Sequence, residues 1–163
     1  VLICFGGADP GDLTGKFLDC LKNEKNIREI VVIIGSAYAQ KSKLSLSVAD
    51  CAHVKILSNL DAPRLVEIMG RIDLAIVPSS TIGLEAFASG MILVTGITAE
   101  NQKNIYNGLI KEGIVVGIND FSRLTCQELS KHVKEMSQKF KNFTFNKRPD
   151  NRDCILEVFK SIG

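Results

Sequence analysis

The chain has 163 residues, which fits one domain whose core needs neither metal nor disulfide staples. Hydrophobic residues make up 45% and charged residues 23%, and a net charge of +2 excludes a broad nucleic-acid-binding or membrane-binding surface. No apolar stretch reaches the length of a membrane span, and no signal peptide is visible.

The chain opens on Val1 without a preceding Met and goes straight into an apolar run, which reads as sequence missing upstream. Val1 to Phe5 is continuously apolar and ends at Gly6-Gly7, the pattern of a strand buried on both faces. A turn follows at Ala8-Asp9-Pro10-Gly11-Asp12, and Leu13, Phe17, Leu18 and Leu21 then predict a helix from about Gly11 to Lys22. Ile30 to Ile34 is a second buried strand closed by Gly35, with a helix across Ala37 to Val48. His53 to Leu57 is a third, less apolar strand. Ser58-Asn59-Leu60-Asp61-Ala62 leads from it into a helix with Pro63 in its first turn.

Leu74 to Val77 is a fourth strand, breaking at Pro78-Ser79-Ser80-Thr81 into a helix through Ala88 that stops at Gly90. Met91 to Val94 is a fifth strand, Ala99 to Lys111 a helix capped by Gly113, and Ile114 to Val116 a sixth strand. From Thr125 onward the pattern predicts two helices joined by a polar stretch around Lys141 to Asp150. Alternating strands and helices predict a Rossmann-like α/β three-layer sandwich, with a mostly parallel six-stranded sheet and right-handed crossovers covering both faces.

The five cysteines, Cys4, Cys20, Cys51, Cys126 and Cys154, are odd in number and scattered. Without a CxxC or Cys/His pair they suggest neither a zinc site nor a disulfide framework. Reduced thiols then point to the cytoplasm, with Cys4 a small core residue.

Three loops follow predicted strands and open helices, where ligands bind in such sheets. In Phe5-Gly6-Gly7-Ala8-Asp9-Pro10 the glycines permit a tight turn, and free N–H groups at the next helix start would favour a diphosphate. The bland alternative is a glycine-rich turn with no ligand. It is not a GxGxxG fingerprint, and the Gly11–Lys16 spacing, with Phe17 next, is wrong for a Walker A loop.

In Pro78-Ser79-Ser80-Thr81-Ile82-Gly83-Leu84-Glu85 small hydroxyls could meet phosphate oxygens. Glu85, one turn after Thr81, could bind both hydroxyls of a ribose. The alternative is an N-cap serine with a first-turn glutamate favouring the helix dipole. In Thr98-Ala99-Glu100-Asn101-Gln102 the amides either bind a sugar or nucleotide, or cap the helix in solvent.

Taken in order, Gly6-Gly7-Ala8-Asp9-Pro10, Asp73-Leu74-Ala75-Ile76, Ser79-Ser80-Thr81, Glu85-Ala86, Gly90, Glu100-Asn101-Gln102 and Gly113 resemble the C-terminal domain of GT-B-fold nucleotide-sugar enzymes. The nearest resemblance is to the UDP-sugar hydrolase of pseudaminic acid biosynthesis and related spore-coat polysaccharide proteins. A more distant one is to the peptidoglycan N-acetylglucosaminyltransferase. The likeness runs from Val1 to about Gly117. It implies that Gly6, Gly7 and Ala8 lie against a diphosphate, and that Ser58, Asn59 and Leu60 edge a uracil through backbone groups. Ser79, Ser80 and Thr81 would meet phosphate or sugar, Glu85 the ribose, and Asn101 and Gln102 the hexose.

Two departures stand out. Met91-Ile92 replaces the family's proline after the glycine matching Gly90. Nothing matches the glycine-and-histidine-rich loop that carries the hydrolase's catalytic base on an N-terminal domain. His53 at a strand start and His132 in a charged helix read as structural or solvent-facing, and no GxSxG elbow is present.

The sequence therefore predicts one domain, 1–163, as the UDP- or UDP-sugar-binding half of an enzyme that needs an N-terminal partner domain. It would use no metal or cofactor and would be inactive alone. Hydrolysis releasing UDP is favoured over glycosyl transfer, a non-catalytic nucleotide-binding module and an α/β scaffold that binds no nucleotide.

Overall fold

The continuous apolar runs become the strands of one sheet. A computed structural model describes residues 1–112 and 115–139, and in it β1 (Leu2–Cys4), β2 (Ile30–Ile34), β4 (Leu74–Pro78) and β5 (Ile92–Gly96) are buried along their whole length. β3 (Val54–Ser58) and β6 (Val115–Ile118) are only partly buried, because they form the two edges. The six strands run parallel in the order β3-β2-β1-β4-β5-β6. The register sets Ile34 opposite Ser58 and Pro78 opposite Gly96, so neighbouring strands finish level.

The helices are α1 (Leu13–Leu21), α2 (Lys41–Ser47), α3 (Ala62–Met69), α4 (Thr81–Ala88), α5 (Lys103–Leu109) and α6 (Cys126–Lys139). Right-handed crossovers place α1 and α2 on one face and α3, α4 and α5 on the other. The buried side chains divide accordingly. Phe17, Leu18, Leu21, Leu44, Leu129 and Val133 pack on alternate strand residues such as Ile3, Val32 and Ile76. Ile68, Met69, Leu84, Phe87 and Leu109 pack on Leu2, Val31, Ala75 and Val77. Phe5, Phe17 and Phe121 meet edge to face with centroids 5.3–5.4 Å apart, fastening the turn before α6 to the end of β1. Burying a side chain of this size stabilises the fold by about 1.5–3 kcal/mol.

Two sequence expectations shift, and others fall outside the described residues. α2 starts at Lys41, not Ala37, because residues 37–40 form a turn. The helix expected across Ala99 to Lys111 divides into a 3-10 turn, Glu100–Gln102, and α5. Gly113, Ile114 and the polar stretch and helix expected beyond Lys139 lie outside the described residues. Among the described residues no helix is long and apolar enough to cross a membrane.

The cysteine reading is corrected. Cys20 on α1 and Cys126 at the start of α6 are joined by a disulfide across 106 residues of sequence, while Cys4 and Cys51 are free. Packing of α6 beside α1 brings the two Cα atoms to 5.0 Å, a proximity that sequence spacing does not reveal. The bond removes the ground for placing the chain in a reducing compartment. For a ring of this size the chain-entropy model gives about 4.7 kcal/mol of stabilisation.

Candidate functional site

The strand order reverses between β1 and β4, and α/β sheets open a crevice for ligands at such a point, beyond the carboxyl ends of the strands. The loops leaving β1 and β4 border it. Cys4 ends β1 below them, and its thiol is pushed above its ordinary value chiefly by burial, with smaller contributions from the carboxylates of Glu85 and Asp9. The topology thus brings the Gly-Gly turn and the Ser-Ser-Thr turn together, although 72 positions separate Gly7 from Ser79.

In the β1–α1 loop, Gly6, Gly7 and Ala8 are exposed, and Gly6 has φ 81, a left-handed conformation that favours glycine. Behind the turn the chain passes so close at Gly35 that a Cβ there would clash with the Cα and carbonyl oxygen of Gly7.

The N–H groups expected to be free after this turn are occupied, which corrects the sequence reading. Asp9 is buried, and its two carboxylate oxygens accept from Leu13 N–H at 3.1 Å and Thr14 N–H at 2.7 Å. Asp12 accepts from Gly15 N–H at 3.2 Å. The amino end of α1 therefore already holds two anions of its own, and both aspartates adopt positive φ to supply them. Asp12 also accepts from the Tyr38 hydroxyl at 2.5 Å and the Lys43 ammonium at 3.0 Å. Partial burial opposes its charge, but those two donors outweigh it and hold the carboxyl below its usual range.

The β4–α4 loop is finished differently. Ser80 is the N-cap of α4 but makes no side-chain capping bond, and the first turn contains no acidic residue. The first intrahelical bond runs from Leu84 N–H to the Ser80 carbonyl, so the N–H groups of Thr81, Ile82 and Gly83 have no acceptor within the helix. Of the capping alternative, the N-cap serine is present without a side-chain bond, and Glu85 lies beyond the first turn. Thr81 and Glu85 are exposed one turn apart on the same face. Gly83 lets the helix lie against the strand, since a Cβ there would come 2.7 Å from the Pro78 carbonyl oxygen. Ser79 has an internal place: it is fully buried, its hydroxyl lies 3.0 Å from that of Thr95, and its N–H donates to Gly96.

Two further loops reach the same edge of the sheet. At the end of β3, Ser58 and Leu60 are half-buried, while Asn59 between them is exposed with φ 54. Asp61 then caps α3 by accepting from Arg64 N–H at 2.9 Å. After β5, Gln102 folds back, accepting from Thr98 N–H at 2.8 Å and donating to its hydroxyl at 3.0 Å, whereas Asn101 is exposed.

His53 precedes β3, and His132 lies on α6 with Nδ1 3.9 Å from Glu135, both away from this edge. Among the described residues no group of His, Cys, Asp and Glu is arranged to hold a metal ion. A cleft of about 1120 Å³ lies at the opposite, amino ends of the strands, lined by Val1, Arg28, Glu29, Arg71 and Asp73 among others. The candidate site is instead an open shelf at the carboxyl ends. Next to the reversal of the sheet it offers the start of α4, which no side chain caps, glycine backbone from the β1–α1 loop, and the exposed Glu85 carboxylate. Such a set can hold an anion and a pair of hydroxyls.

No family model matches the chain. Over 117 residues, 69% of the chain, it is 30% identical to the uncharacterized protein MJ1062 of Methanocaldococcus jannaschii, and it spans 23% of that protein's length. Among solved structures it is similar to the glycotransferase of kitacinnamycin, with TM-score 0.62 and 14% identity over 99% of this chain and 38% of that one. It is also similar to the C-terminal CMP-Kdo binding domain of WaaA from Acinetobacter baumannii, with TM-score 0.59 and 12% identity over 99% of this chain and 88% of that domain. WaaG, a glycosyltransferase involved in lipopolysaccharide biosynthesis, gives TM-score 0.53 and 13% identity over 99% of this chain and 42% of that one. At such identities the likeness is one of fold: the chain is an α/β Rossmann-like domain of the kind these proteins contain.

Proposed function

We propose that this chain is the donor-binding domain of a GT-B enzyme that acts on a nucleotide sugar. One observation carries the reading: the uncapped amino end of α4 stands at the switch point, beside Gly6 and Gly7 and one turn from the exposed Glu85. On this reading the α4 N–H groups take the donor's phosphates, helped by the hydroxyls of Ser80 and Thr81. Gly6, Gly7 and Ala8 allow close approach, and Glu85 takes the ribose hydroxyls. Backbone of Ser58, Asn59 and Leu60 borders the base, with uridine favoured by the sequence resemblance. Asn101 and Gln102 face the sugar. Ser79 contributes by fixing the turn from within.

The acceptor site and any catalytic base belong, on this reading, to a partner domain. Transfer of the sugar agrees with the glycosyltransferase neighbours. Hydrolysis releasing UDP is the second reading, favoured by the run from Gly6-Gly7-Ala8-Asp9-Pro10 to Asn101-Gln102. Both reactions begin from the same bound donor.

The test is calorimetric titration of the chain and its Glu85→Ala variant with UDP, ADP, GDP and CMP. We expect saturable binding of UDP, weakened about tenfold in the variant, the loss of roughly one charge-assisted hydrogen-bonding group. Preferential binding of CMP would keep the site and change the base. Absence of binding by all four, repeated in the full-length protein, would overturn the reading.

A further inference from the structure

Beyond the shelf itself, one carboxylate collects donors from three separate elements. Asp12 accepts from Gly15 N–H inside α1, from the Tyr38 hydroxyl in the turn after β2, and from the Lys43 ammonium on α2. Its backbone has φ 50, in the left-handed region that Asp adopts more readily than most residues with a side chain. Gly15 is part of the arrangement, because a Cβ at that position would come 2.5 Å from the Asp12 carboxylate. Tyr38 is buried, with 6% exposure, so its hydroxyl is aimed at Asp12 by packing. The turn carrying Tyr38 begins at Gly35, the residue against which Gly7 rests. The donors thus draw the β2–α2 turn toward the β1–α1 loop at the place where the two backbones touch.

We propose that Asp12, Tyr38 and Lys43 form a latch that holds the Gly6–Gly7 turn at a fixed height beside the amino end of α4, making them positioning residues for the donor's phosphates. The role in phosphate binding rests on the donor-binding reading above; the latch itself does not. None of the three needs to touch the ligand. Tyr38 and Lys43 act through Asp12 and the Gly35–Gly7 contact, and the space beside α4 is set by where that contact leaves the glycines. A hydroxyl or ammonium lost from the latch would let the turn sample other positions.

The experiment compares the wild-type chain with Tyr38→Phe and with Ile27→Val. The first removes the hydroxyl but keeps the ring. The second trims a buried side chain that precedes β2, at the amino ends of the strands. Backbone amide NMR of the ligand-free proteins should show the Gly6, Gly7 and Gly35 signals shifted or broadened in Tyr38→Phe and unmoved in Ile27→Val. UDP affinity should fall about tenfold in Tyr38→Phe and stay within twofold in Ile27→Val, although both variants melt below the wild type. Unchanged glycine signals in Tyr38→Phe would overturn the latch whatever UDP does. Moved glycine signals with undiminished UDP affinity would overturn its part in binding. If UDP, ADP, GDP and CMP all fail to bind both the wild-type chain and the full-length protein while the glycine signals still move in Tyr38→Phe, the donor-binding reading fails and the latch stands as a property of the fold.

Discussion

Helices α1 and α4 both begin just past the reversal of the sheet, and their amino ends are finished in opposite ways. α1 is closed: the carboxylates of Asp9 and Asp12 occupy the N–H groups of Leu13, Thr14 and Gly15. α4 is open, with no capping side chain and no acid in its first turn. The two starts have the same dipole and differ in whether the chain supplies its own anion. A helix start neutralised from within contributes to stability, and one left unneutralised is available to a ligand. The glycine-rich turn, the more conspicuous of the two in sequence, leads to the closed helix. The plainer serine-rich turn leads to the open one.

The comparison can be broken most forcefully at Asp9. Asp9→Ala leaves two N–H groups without their acceptor, and we expect a loss of about 3 kcal/mol in urea unfolding, from a cap and two bonds to a charged group. Inorganic phosphate should then raise the melting temperature of the variant more than that of the wild type, because α1 has become open. An unfolding midpoint equal to that of the wild type would show that the α1 start is not held by this carboxylate.

The converse change makes α4 resemble α1. Ser80 is extended, as an N-cap should be, so Ser80→Asp should cap the helix and stabilise the protein by about 1 kcal/mol while UDP affinity drops tenfold or more. Gain in one measurement with loss in the other is the expected signature. A variant that is more stable and binds UDP as well as the wild type would remove α4 from the site.

The smallest effect concerns pH. Burial, and then the hydrogen bond to the Asp12 carboxylate, raise the Tyr38 hydroxyl above its ordinary value of 10.0. The folded protein thus favours the neutral phenol more than the unfolded chain does. The resulting stability is complete below pH 10 and is lost as pH rises toward the folded value. Denaturant unfolding from pH 8 to 11 should show the wild type losing more stability than Tyr38→Phe over the upper part of that range. Equal slopes would mean that the hydroxyl is not held as the structure shows.

Much of the sheet was readable because a parallel strand buried on both faces leaves a mark of its own. Ile30 to Ile34 and Leu74 to Pro78 are apolar without alternation, and both are buried throughout. Crossover handedness then sufficed to cover both faces. The edge strand β3 was harder, since Lys55 points to solvent between half-buried neighbours. Helix starts were misplaced where side chains intervene locally: Tyr38 is tied to Asp12 ahead of α2, and Gln102 to Thr98 ahead of α5.

In the candidate site, the loops could be found from strand ends, but the state of each helix start could not. An aspartate directly before a helix is a capping signal, and Asp12 carried it within what reads as a turn-rich stretch, whereas Asp9 reaches the same helix start from four residues upstream. The contact of Asp12 with Tyr38 and Lys43 depends on how the β1–α1 loop lies beside the β2–α2 turn and α2. That Ser79 faces inward to Thr95 likewise follows from strand pairing, which a run of small hydroxyl residues does not disclose.

The Cys20–Cys126 bond also changes what a pulling force would meet. It closes a covalent hoop that contains β2 to β6, whereas β1, seated between β2 and β4, belongs to the tail that precedes the hoop. Tension applied at the ends of the chain is carried through α1, across the sulfur bridge and into α6, and bypasses everything inside. It can draw the middle strand out of the sheet but cannot lengthen the 106-residue span. Once the bridge is reduced, the same tension passes through every intervening strand, and the chain gains about 370 Å of reach at ~3.5 Å per residue.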